Sequence, residues 1–245
     1  MTTAEHVDDS FPSQFVSWLS TLAIGTTVCL FLTGLEICWR IRSQRTTNGI
    51  SSTPFHTGFL SGQLWLQYGL LRHNEVFVNV PLVFIMEQSS IIICVNSVAA
   101  LLYSLYIFYY FIMAPYATKN RCVRLIFAEV MFLMGAHYYI HYYGLPVEMI
   151  RLHLGMCCVI FNVVTAAAPL EALREVFRTR CTETMPLPLC CLTLLVAAEW
   201  LLYGILIDDI YIQVPNAIAS VIAVVQLLPF LYFPRNKQIA IITTS

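Results

Sequence analysis

Charge is what this 245-residue chain has least of: 11% of residues are Asp, Glu, Lys or Arg, against 58% apolar. A soluble globule carries nearer a quarter charged residues, so that class is excluded, and a mean hydropathy of +0.73 makes the chain an integral membrane protein. The nine cysteines show no C-x-x-C spacing, which leaves neither a disulfide framework nor a zinc site in view. No N-x-[ST] sequon occurs, and no Pro-Gln dipeptide. No clustered nucleophile and base suggest a hydrolase, and no span holds a Lys for a retinal Schiff base. The opening "MTTAEHVDDSFPSQ" has no Lys or Arg, so the first apolar run is expected to stay attached rather than serve as a cleaved signal.

What is present is a series of apolar runs, each near the ~20 residues that cross a bilayer. They fall at Phe15–Trp39, Pro54–Leu71, Ser90–Met113, Leu125–Tyr143, Leu152–Leu170, Pro186–Ile207 and Ile210–Phe233. Of the 13 Lys and Arg, only Arg72 and Arg151 lie on one side of the resulting topology. By the positive-inside rule the N-terminus is outside and the C-terminus cytoplasmic.

The chain also repeats itself. "LWLQYGLL" at 64–71 and "EWLLYGIL" at 199–206 share Trp-x-x-Tyr-Gly, and the step in numbering from Trp65 to Trp200 also relates Tyr68 to Tyr203, Thr47 to Thr182 and Gly34 to Pro169. A constant offset over spans one and two against five and six marks a duplicated three-span unit with span four as connector. The expected fold is all-α, two parallel three-helix bundles joined by a linker helix, related by an axis along the membrane normal. The segments are an external 1–14, a first repeat 15–113, a linker region 114–151, a second repeat 152–233 and a cytoplasmic tail 234–245.

Three features mark where such a fold does its work. Trp65 and Trp200 sit mid-span at matching depth and read either as opposite walls of one cavity or as interfacial anchors. Pro54, Pro169 and Pro186, with Gly34 at the fourth place, read as hinges near the cytoplasmic face, or, for Pro54 and Pro186, as ordinary first-turn prolines. Asn96 and Asn216 each sit early in a third span, where an amide needs partners; a hydroxyl-rich ligand supplies them, as does a neighbouring helix. The stretch from Gly69 to Asn96 is more than twice as long as its counterpart from Gly204 to Asn216, so an inserted loop is expected near 73–88, and Asn79 within it competes with Asn96. Glu199 is the strong mid-membrane acid, whereas Glu36 and Glu129 lie nearer the cytoplasmic ends, where arginines are at hand. His137 and His141 share a helical face without the carboxylate a metal site of that spacing would hold.

Taken together, "TPFHTGFLSGQLWLQYGLL", "VNSVAALLYSLYIF", "PLEALREVFRTRCTETMP" and "WLLYGILIDDIYIQVPN" resemble the SWEET (MtN3/saliva) family of sugar transporters, the animal branch in particular, over about residues 15–234. The resemblance implies passive, bidirectional movement of mono- or disaccharides by alternating access, with no enzyme activity, cofactor, metal or nucleic acid. It implies that Trp65, Trp200, Asn96 and Asn216, with Ser61 one turn before Trp65, line the sugar site. It implies further that Tyr68 and Asp209 close an outer gate, and that Pro54, Pro169 and Pro186 belong to an inner hinge set in which Gly34 departs from proline. The expected partners are a sugar and the bilayer of the plasma membrane or Golgi; a homo-oligomer is compatible, though seven spans suffice for one path. A PQ-loop carrier of another solute, or a seven-span receptor, is the alternative.

Overall fold

The computed structural model describes residues 10–79, 82–166, 169–183 and 185–235, and the side chains of 10–13, 74–89, 169 and 171 lie outside that description. Among the described residues every regular element is a helix. In chain order these are α1 Ser10–Leu32, α2 Gly34–Gln44, α3 Thr53–Asn79, α4 Leu82–Met113, α5 Tyr116–Tyr142, α6 Val147–Ala166, α7 Pro169–Thr179, α8 Leu187–Leu206, α9 Ile210–Leu227 and the short α10 Pro229–Tyr232. Six spans are long and apolar enough to cross a membrane by composition, with α1 and α2 counted as one and α9 and α10 as another. The seventh, α3, has 27 residues and thus a length of about 40 Å. It is the polar member of the set.

The first expected span is broken rather than continuous. At Thr33 the ladder shortens to three-residue steps, Thr33 N–H to Leu30 C=O at 3.2 Å and Glu36 N–H to Thr33 C=O at 3.1 Å, and the chain resumes as α2. In the second repeat, Pro169, the repeat equivalent of Gly34, is the first residue of an 11-residue helix, α7, equal in length to α2, with residues 167–168 outside the description. Both short helices then end on an arginine in the left-handed region, Arg45 and Arg180, each at φ 54°. Next come Thr47 and Thr182, both buried, whose carbonyls accept from Ile50 and Met185. Matching turns at a fixed offset show that the duplication extends from sequence to backbone.

The residues between Gly69 and Asn96 differ from the expected outer loop. α3 runs on to Asn79 and α4 begins at Leu82, so the described part of the extra length prolongs two antiparallel helices. The run "EVFVN…LVFIMEQ" has few helix breakers apart from Pro81, which is consistent with continuation. The segments 1–9 and 236–245 lie outside the described residues.

The spans close into a ring. α4 packs on both α1 and α3, α9 packs on both α6 and α8, and the repeats meet twice, α1 on α8 and α3 on α6. The linker helix α5 lies outside this ring against α3. Close approach within each repeat relies on glycine. A Cβ on Gly69 would stand 3.1 Å from side-chain atoms of Ile92 and Ile93, and one on Gly204 would stand 3.0 Å from the Gln213 nitrogen and the Ile212 side chain. These are the glycines of the two Trp-x-x-Tyr-Gly copies.

The apolar core is unequal at the two ends. Where α3 and α8 finish, one cluster draws on all six ring helices, with Leu19, Trp65, Ile92, Leu154, Tyr203 and Ile212 among its members. At the other end, where the arginines gather, the first repeat has a cluster around Ile41, Phe55 and Tyr106. The second repeat has a separate one around Leu173, Val176 and Met185. The ring is sealed by shared packing at one end only. Substituting Gly204 with Val should force α8 and α9 apart and lower stability by about 1–3 kcal/mol, read as a fall in the melting temperature of the purified protein in detergent; an unchanged melting temperature would contradict this packing.

Candidate functional site

A buried indole N–H must find an acceptor, because leaving it unmet costs about 1–3 kcal/mol. Both tryptophans find theirs in the opposite repeat. Trp65 of α3 donates Nε1–H to the Asn162 side-chain carbonyl of α6 at 3.3 Å; Trp200 of α8 donates to Thr27 Oγ1 of α1 at 2.9 Å. Thr27 and Asn162 are themselves repeat equivalents, separated by the same step in numbering as the two tryptophans, so the two bonds are one interaction written twice. Each indole also stands edge-on to the tyrosine three residues on, Trp65 to Tyr68 and Trp200 to Tyr203, with ring centroids 5.5 Å apart in both cases. Ser61 Oγ–H donates to the same Asn162 oxygen at 3.1 Å. Sequence reasoning brought Ser61, Trp65 and Trp200 forward and missed Thr27 and Asn162. The repeat offset between two mid-span polar residues was the signal that could have found them.

Asn96 and Asn216 occupy equivalent places on α4 and α9. Each is half-buried and donates its side-chain N–H to the carbonyl four residues back, Ile92 and Ile212, at 2.8 Å. Asn79 is the last residue of α3, and its side chain lies outside the described residues.

At the sealed end, Asp209 gathers donors from both repeats. Its carboxylate caps α9 by accepting from the Tyr211 N–H at 3.0 Å. It accepts from the Tyr68 hydroxyl at 3.0 and 2.9 Å, and from the Arg72 guanidinium, which also donates to the Ile207 carbonyl. Tyr68 and Asp209 are 1% and 4% exposed, so this is a desolvated charge whose cost is met by several good bonds. Arg72, one turn after Tyr68, was not singled out in the sequence.

The four candidate hinge positions do not share one environment. Pro54 is the second residue of α3 and Pro186 directly precedes α8. These are ordinary places for a helix-starting proline. Gly34 follows directly on the interrupted ladder at Thr33, and Pro169, whose side chain lies outside the described residues, is the first residue of α7 after 167–168, which are not described. Glu199 is buried, with one carboxyl oxygen 2.5 Å from Thr26 Oγ1. Glu129 meets a histidine rather than an arginine: His56 Nδ1 of α3 lies 2.9 Å from its Oε1, an ion-pair geometry that ties the linker α5 to the first repeat. The His137 and His141 rings lie 4.4 Å apart between centroids, tilted by 51°, with Tyr142 beside them.

The described residues thus form a ring of two duplicated triple-helix units, polar at mid-depth and packed together at one end, which is the build of a multi-pass membrane protein with an internal repeat. Residues 17–90 and 152–238 match the family described as "Sugar efflux transporter for intercellular exchange". The chain is 34% identical to Sugar transporter SWEET1 of Caenorhabditis elegans over 90% of its own length and 66% of that protein's. It is 35% identical to Sugar transporter SWEET1 of Drosophila pseudoobscura pseudoobscura over 89% of its own length and 90% of that protein's. A solved eukaryotic SWEET transporter at 3.7 Å superimposes with a TM-score of 0.77, covering 91% of this chain and 98% of the other at 21% identity. The chain belongs to the SWEET (MtN3/saliva) family.

Truncating Arg72 to Ala leaves Asp209 buried with a missing charge partner and should cost roughly 3 kcal/mol, read as a lowered melting temperature. Adding Asp209→Asn should recover much of that loss, because the stranded charge is then gone; a double variant no more stable than Arg72→Ala would contradict the pairing.

Proposed function

We propose that the chain is a sugar uniporter that works by alternating access, taking mono- or disaccharides through the ring in either direction. The observation that carries this reading is the unequal core. One cluster spans both repeats at the Tyr68–Asp209 end, whereas each repeat keeps its own cluster at the basic end. A carrier caught with one side shut has this distribution, since the shut side must bury apolar surface that the other side keeps divided. By the distribution of arginine and lysine, the divided end faces the cytoplasm and the sealed end faces outward.

A pyranose has apolar C–H faces and a girdle of hydroxyls. In this reading the two indoles, at equal depth on opposite repeats, take the faces, and Asn96, Asn216, Ser61 and Asn162 supply donors and acceptors to the girdle. Bonds now made between Trp65 and Asn162, and between Trp200 and Thr27, hold these groups in place and are exchanged for bonds to sugar when it enters. Such an exchange returns little net energy, so binding is weak, with Kd in the millimolar range, about −4 kcal/mol. Weak binding permits release on either side. The relatives named as sugar transporters, and a Medicago truncatula relative named a bidirectional sugar transporter at 29% identity, support both the solute class and the reversibility.

Glu199 is the acid most suited to proton coupling by depth, and the uniport reading gives it a structural role at the α1–α8 contact with Thr26 instead. Radiolabelled D-glucose counterflow in proteoliposomes tests the proposal. Counterflow should proceed without an imposed proton gradient, and Trp65→Ala and Trp200→Ala should each lower it by at least about tenfold at unchanged protein density. Glu199→Gln should keep the parent's pH profile. Counterflow that needs a proton gradient and is lost in Glu199→Gln would replace the uniporter with a proton-coupled carrier.

A further inference from the structure

The two repeats place different residues at equivalent positions, Gly34 and Pro169. In the second repeat, α7 begins at a proline, Pro169, which has no N–H to continue a ladder. In the first, α2 begins at Gly34, which keeps its N–H, so the bend between α1 and α2 needs another cause. That cause lies on α4. Tyr106 seats its ring on Gly34: a Cβ at position 34 would come within 2.4 Å of Tyr106 Cε2, far inside contact distance. The hydroxyl of the same ring donates to the Phe31 carbonyl at 3.3 Å, beside the break at Thr33.

Tyr106 itself has little freedom. It is 4% exposed and lies between the rings of Phe55, centroids 5.3 Å apart, and Tyr103, centroids 5.9 Å apart. One turn further along α4, Tyr110 donates its hydroxyl to the Ile50 carbonyl at 2.8 Å. The tyrosines thus grip the chain before and after α2. The equivalent positions in the second repeat follow from the step that relates Asn96 to Asn216: Tyr106 corresponds to Gln226 and Tyr110 to Phe230. Where one half sets Tyr106 against Gly34, the other has Gln226 and Pro169 at the equivalent sequence positions.

We propose that Tyr106 is a positioning residue for transport: its ring in the Gly34 notch, with its hydroxyl on Phe31, sets the bend between α1 and α2 and makes α2 move with α4 as one body. This rests on the carrier reading above, in which the basic end is divided; α2 and α7 each contribute to one of its two separate clusters, through Ile41 and through Leu173 and Val176. The glycine is required by the ring, which would meet any Cβ at position 34.

The test uses the full-length protein in proteoliposomes with D-glucose counterflow as the readout. Gly34→Ala should lower the maximal rate at least about tenfold while changing the half-saturating concentration by no more than about twofold, because the joint is not a sugar contact. Tyr106→Phe, which keeps the ring and loses the hydroxyl, should lose about threefold in rate. Gly34→Pro alone should be as slow as Gly34→Ala, since its ring meets Tyr106, whereas Gly34→Pro with Tyr106→Gln installs the second repeat's pair and should return to within about threefold of the parent. A parent-like Gly34→Ala, or a double variant no faster than Gly34→Pro, would overturn the proposal. Melting temperatures decide the joint without sugar: Gly34→Ala should lower the value, and adding Tyr106→Ala should recover at least about half of the loss. If the parent moves no D-glucose, the carrier reading falls, and purely additive melting shifts would then overturn the Gly34–Tyr106 coupling as well.

Discussion

A polar group at mid-depth in a bilayer has no water to turn to, so it must be met by another part of the protein. The fold is organised around that requirement. The Trp65 and Trp200 N–H groups are each met by the other repeat's first helix, at Asn162 and Thr27, so the two halves are stitched together through their paired indoles. Neither repeat could bury its own indole alone in this way. The same logic explains why α3 is the least apolar span. Its Ser61, Trp65, Tyr68 and Arg72 all bond to the second repeat, and its His56 bonds to the linker. Its polarity is internal to the bundle rather than exposed to lipid.

From this stitching the remaining features follow in order. The ring closes through α1 on α8 and α3 on α6, the contacts that carry the indole bonds. Beyond them, at one end, Asp209 draws Tyr68 and Arg72 across the boundary, and the shared apolar cluster forms around them. At the other end no comparable cross-boundary bond is seen among the described residues, and the cores stay divided. A two-state carrier needs this imbalance to be reversible, which requires bendable joints in the spans that line the divided end. The proposed carrier would use the interruption at Thr33–Gly34 as such a joint, with Pro169 at the equivalent position of the second repeat.

Much of the fold was legible in the sequence because duplication leaves an arithmetic trace. The constant offset at Trp65/Trp200 and Tyr68/Tyr203 predicted repeats that the backbone reproduces down to the left-handed Arg45 and Arg180. Tyr68 with Asp209 was legible through family resemblance. Other parts were hidden for identifiable reasons. Arg72 looked like a loop residue, because a charge at the end of an apolar run does not disclose that the helix continues to Asn79. Thr27 and Asn162 are different residue types, so only their spacing, and not their identity, links them before their common role as indole acceptors is seen. The expected loop near 73–88 came from comparing spacings, and spacing cannot distinguish a loop from two helices lengthened together. The hinge reading of Pro54 and Pro186 rested on their places near the cytoplasmic face and on the family resemblance, and both stand at helix starts, where proline is equally at home.

The central claim is that one solute passage runs between the repeats at the depth of the tryptophans and opens to each side in turn. It is tested most directly by placing a single cysteine at Ser61, beside Trp65 and Asn162, in a cysteine-free background and measuring its reaction with a membrane-impermeant thiol reagent added to either face of sealed vesicles. The account predicts labelling from both faces, slowed by D-glucose and not by L-glucose. Labelling from neither face, or a rate indifferent to sugar, would show that Ser61 lines no such passage and would contradict the account.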